Sequence, residues 1–104
     1  MSFDINRTLE DMLGAIKEVV EDDWDNIRGY AREILDGEKE TFVELSERFI
    51  RGEITEEELA SELKDEKDTV GAQFKALNVR NKAAIQRAAN KALDILYDAI
   101  KVAL

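Results

Sequence analysis

The chain has no cysteine, no histidine and no proline, and aromatic residues fill only 7% of its 104 positions. Without cysteine there is no disulfide framework, no thiolate nucleophile and no Cys-ligated zinc or iron–sulfur cluster. Without histidine the commonest general base and the commonest transition-metal ligand are missing. Without proline the strongest helix breaker is missing too, so the question is where helices stop rather than whether they form. No apolar run approaches the ~20 residues of a membrane span, and no basic-then-apolar leader opens the sequence. The expectation is a cytoplasmic protein with no membrane span.

What is present is 44% hydrophobic and 38% charged residues, with 24 acids against 15 bases and a net charge of −9. That apolar content is too high for a disordered chain and enough for one core. A single domain over residues 1–104 is expected: an all-α antiparallel bundle of four helices, at about 4–35, 38–51, 56–77 and 80–103.

The first helix rests on the stripe Leu9, Leu13, Ile16, Val20, Asp23, Ile27, Tyr30, Ile34, whose alternating steps of four and three keep one face. A continuous helix of this length would span roughly 48 Å. The acidic stretch Glu21, Asp22, Asp23, Trp24, Asp25 is its weakest point, because Asp prefers caps to helix interiors. Asp36-Gly37 stops it. Phe42, Leu45 and Phe49 mark the second helix, which Gly52 ends. Thr55 with Glu58 three residues on reads as a capping box, with Ile54 and Leu59 placed for the hydrophobic staple. Leu59, Leu63, Val70, Phe74 and Leu77 carry the third helix, and Asn78 and Asn81 punctuate the passage to the fourth, or bend a fused pair there.

The last helix is the most apolar. Ile85, Ala89, Leu93, Leu96 and Ile100 lie on an apolar face wider than one groove usually covers, and they form the candidate interaction surface. The leading functional expectation follows: a non-enzymatic interaction or structural protein that self-associates, or takes a protein partner, through its C-terminal helix.

Charge is unevenly spread. Residues 1–70 hold 22 acids and 9 bases, whereas residues 71–104 hold 2 acids and 6 bases. Arg80, Arg87 and Lys91 fall within about 40° of one another on a helical wheel. The stripe over residues 75–91 is therefore a candidate site for an anionic ligand or nucleic acid. The plainer explanation, that a basic helix packs beside acidic ones in its own bundle, is the preferred one. Net negative charge repels a polyanion, and no aromatic residues interleave the bases.

The acidic cluster at 21–25 is a candidate for weak divalent-cation binding, but it fails the EF-hand pattern: counted from Asp23, the sixth position is Arg28 and the twelfth is Ile34. Asp23 stands in the apolar stripe, where a buried carboxylate needs a partner. The simpler reading turns Trp24 inward and Asp23 outward. An enzyme would need an acid pair in a cavity, such as Asp23 with a carboxylate of the third helix. No His is available for a di-metal carboxylate site, and no Gly-rich phosphate loop or nucleophile elbow occurs. No catalytic, cofactor-binding or metal-binding residue is therefore assigned.

Overall fold

The computed structural model describes residues 3–77 and 79–103. It is an all-α bundle measuring 42 × 22 × 19 Å. Among the described residues, five α-helices and one 3-10 turn follow in order: α1 (Ile5–Val20), the 3-10 turn (Glu21–Asp23), α2 (Trp24–Gly37), α3 (Lys39–Ile50), α4 (Glu56–Lys75) and α5 (Lys82–Val102).

The starts of three helices follow from local chemistry. Asp4 accepts the Arg7 N–H with its side chain, and Asn81 accepts that of Ala84. Thr55 and Glu58 complete the reciprocal capping box that their spacing predicts, satisfying backbone donors that have no partner within the helix. Gly52 adopts φ +75, a left-handed turn residue closing α3, and Ile54 beyond it is buried. Gly37 takes no such conformation: it is the last residue of α2, and Glu38 alone separates α2 from α3.

The single long first helix is not formed. The chain turns back on itself at Glu21, whose φ of 50 is the only positive value at a non-glycine among the described residues. Arg32 of α2 pairs with Glu10 of α1 at 3.0 Å, whereas in one straight helix they would stand about 33 Å apart. The alternating stripe could not distinguish the two outcomes, because both arms of the hairpin bury the same face. Its phase does slip beyond Ile27: Ala31 and Leu35 are buried, and Tyr30 is 57% exposed.

α5 is the centre of the bundle. It lies along α1 on one side and α4 on the other, and α3 also touches it. The core joins Leu9, Met12, Leu13 and Ile16 of α1 to Phe42 and Leu45 of α3, Leu63, Val70 and Phe74 of α4, and Ile85, Leu93, Leu96 and Ile100 of α5. Each fully buried side chain of this size contributes roughly 1.5–3 kcal/mol of transfer free energy. The small residues Ala84, Ala88, Ala89 and Ala92 are buried as well and let neighbouring helices close on α5. At Gly71 of α4 a Cβ would stand 2.5 Å from the Gln86 side-chain oxygen, so glycine is what lets Gln86 lie across that helix. α4 and α5 are separate helices; Asn78, named above as punctuation between them, lies outside the described residues. Among the described residues, no helix is long and apolar enough to cross a membrane.

Candidate functional site

The expected interaction surface is the core. Ile85, Ala89, Leu93, Leu96 and Ile100 are each 0% exposed, covered by α1 and α4 of the same chain. These five residues cannot meet a second molecule while the fold stands. The excess apolar width of α5 is covered because several elements pack on it rather than one.

The basic stripe does not assemble as one site. Arg80 precedes the Asn81 cap and lies outside α5, so helical register does not align it with Arg87 and Lys91. Lys91 pairs across to Glu18 of α1 at 3.6 Å, Lys101 pairs with Glu56 of α4 at 2.6 Å, and Lys82 donates to the Leu77 carbonyl at 2.7 Å. Within the stripe, Lys91 thus faces an acid and Lys82 the helix-end carbonyls of their own bundle, whereas the side chains of Lys75, Arg80 and Arg87 form no ion pair among the described residues. Arg87 is exposed. A second basic feature was not legible in the sequence. Lys17, Arg28 and Arg32 line the α1–α2 groove beside Trp24, although Arg32 there is paired to Glu10.

The acidic cluster at 21–25 does not converge on a cation. Asp23 turns inward, only 4% exposed, and both its oxygens accept the Arg80 backbone N–H, at 3.2 and 3.1 Å. Glu21, Asp22 and Asp25 point to solvent. Among the described residues, no group of three or more acids is placed to hold a metal ion. The simpler reading of Asp23 is also overturned. Asp23 takes the buried position and Trp24 is only half-buried, because the carboxylate has a backbone donor to satisfy there.

An acid pair does exist, but elsewhere. Glu66 of α4 has its Oε2 buried without a hydrogen-bond partner. Burial, then the neighbouring Glu38 carboxylate at the α2–α3 junction, pushes the Glu66 carboxyl up to about 7. Gln73 donates to Glu38 at 3.4 Å. The lysines adjacent in sequence are engaged elsewhere, Lys39 with Asn6 and Lys67 with Asp94.

A groove of about 680 Å³ lies between the first half of α1 and the last turns of α5. Phe3, Ile95, Ala99, Val102 and Ala103 supply its apolar surface, and Asp4, Arg7, Asp11 and Asp98 its charges. Val102 is 65% exposed, the highest value among the large hydrophobic residues described. The groove is not legible in the sequence, because its apolar residues are few and come from opposite ends of the chain. Between α5 and the start of α4, Glu56 accepts from both Lys101 and Tyr97, and these bonds hold its carboxyl below the usual carboxylate range.

Comparison with protein-family models, with curated proteins and with solved structures finds no match.

Proposed function

We propose that the chain is a non-enzymatic protein-interaction module and that it binds through the outer groove between α1 and α5. The observation that carries this reading is the groove itself: the exposed Val102 and the half-buried Ile95 and Ala99 of α5, with half-buried Phe3 from the residues leading into α1, bring apolar surface together, while the inner face of α5 is closed off in the core. Apolar surface lined by polar groups is what a partner segment buries on docking. The non-enzymatic part rests on composition, since neither histidine nor cysteine is available to act as base or nucleophile. The C-terminal helix keeps its expected role in association, but with its outer flank rather than its apolar core face.

The test has two arms, each comparing the wild-type chain with Val102→Asp. A displayed library of helical peptides is selected on the folded protein, with the variant as counter-target. Light scattering measures whether two copies associate. Clones that bind only the wild type, or a dimer that the variant abolishes, support the reading. A monomer that selects no groove-dependent clone overturns it.

A further inference from the structure

We propose that the occupant of the α1–α5 groove is a basic amphipathic helix supplied by another protein. The inference rests on the interaction reading above and adds the chemistry of the partner.

The shape of the groove calls for a helix. Its walls are formed by residues 4, 7, 8 and 11 on one side and 95, 98, 99 and 102 on the other. Both sets step i, i+3, i+4, i+7, so a polar ridge of Asp4, Arg7, Thr8 and Asp11 and a more apolar ridge of α5 run side by side, antiparallel, for about two turns, or roughly 10 Å. A third helix fits between two such ridges with its own i, i+3, i+4, i+7 side chains as anchors. Phe3, Ile95, Ala99 and Val102 meet those anchors.

The charge of the groove makes that helix basic. Asp4 and Asp11 stand on the α1 wall and Asp98 on the α5 wall, against Arg7 as the one base in the lining. Asp11 and Asp98 are exposed and form no ion pair among the described residues. Asp4 caps α1 through Oδ1. Lysines or arginines flanking an apolar stripe would complete these carboxylates, whereas acids there would be repelled, a repulsion the net charge of −9 extends to longer range.

A second copy of this chain is a poorer match. Of the exposed large hydrophobic residues described, Tyr30 and Ile50 sit on helices that each carry more acids than bases, and Val102 lines the groove itself.

The test uses two synthetic helical peptides of about 14 residues with the same leucine stripe, one with a lysine polar face and one with a glutamate face. Each is titrated into isotopically labelled protein while backbone amide shifts are followed. The expected result is that the lysine peptide moves amides at 4–11 and 95–102. Its affinity should fall about 3- to 10-fold for Asp11→Asn/Asp98→Asn, both surface changes, and the glutamate peptide should bind at least about 10-fold more weakly. Shifts spread over the acidic start of α4, or equal binding of the two peptides or of the double variant, overturn the proposal. A groove-dependent dimer would leave the interaction reading standing and put a second copy in this helix's place. No groove-dependent clone and no dimer would remove the interaction reading itself.

Discussion

Asp23 accepts the backbone N–H of Arg80, 57 residues further along the chain, with both of its carboxylate oxygens. One buried side chain thereby ties the α1–α2 hairpin to the segment that enters α5. Asp23→Ala would leave that N–H without a partner and is expected to cost about 1–3 kcal/mol, read as a lower urea midpoint with unchanged slope. Asp23→Asn keeps one acceptor and should cost less. Equal stability of all three proteins would show that the bond is not structural.

Leu96 and Val102 belong to the same helix and should respond oppositely to charge. Leu96→Glu puts a carboxylate among fully buried side chains and is expected to destabilise by more than about 4 kcal/mol or to prevent folding. Val102→Glu, at an exposed position, should stay within about 0.5 kcal/mol. Thermal melts followed by circular dichroism distinguish the two. A well-folded Leu96→Glu protein would contradict the burial of the α5 face.

The raised Glu66 carboxyl gives stability a pH dependence of definite sign. Between its ordinary value of 4.5 and the folded value of about 7, the folded state binds more protons than the unfolded one. Stability contributed by this group is therefore fully present below 4.5 and declines as pH rises toward 7. Glu66→Gln should remove the decline. At pH near 8 it should raise the melting temperature by about 4–8 °C for each 1 kcal/mol gained, with little change near pH 4. A variant that loses stability at both pH values would contradict the origin assigned to the shift.

The turn between α3 and α4 should be sensitive to two small changes. Gly52→Ala forces an L side chain onto a backbone at φ +75 and is expected to cost about 1 kcal/mol. Thr55→Ala removes the cap from α4 and should cost about 1 kcal/mol as well. Denaturant melts of the single and double variants check both. No loss in either would mean that the turn is set by packing of Ile54 alone.

These sites differ in how far the sequence discloses them. Thr55, Glu58 and Gly52 act within one turn, so their spacing is enough to read them. The apolar face of α5 is equally visible, but what covers it is not, because α1, from the other end of the chain, packs on it along with the neighbouring α4. The hairpin at Glu21 is hidden for a different reason. Val20, Asp23 and Ile27 point into one core whether the chain runs straight or turns back, and only the burial of Ala31 in place of Tyr30 registers the difference. Glu66 looks like one more solvated acid in a charged helix until Glu38 is packed beside it. The groove of Phe3, Asp11, Asp98 and Val102 exists only once the first and last helices lie together.

The most direct measurement is absolute molar mass by light scattering after size exclusion, at low and at high salt. If the apolar face of α5 is closed within one chain and the groove takes a different protein, the mass is 11.8 kDa in both conditions. A dimer that persists at both salt concentrations would contradict this, showing that apolar surface is buried between copies. A dimer that dissociates in high salt would instead show that the acidic and basic halves of the chain pair between molecules.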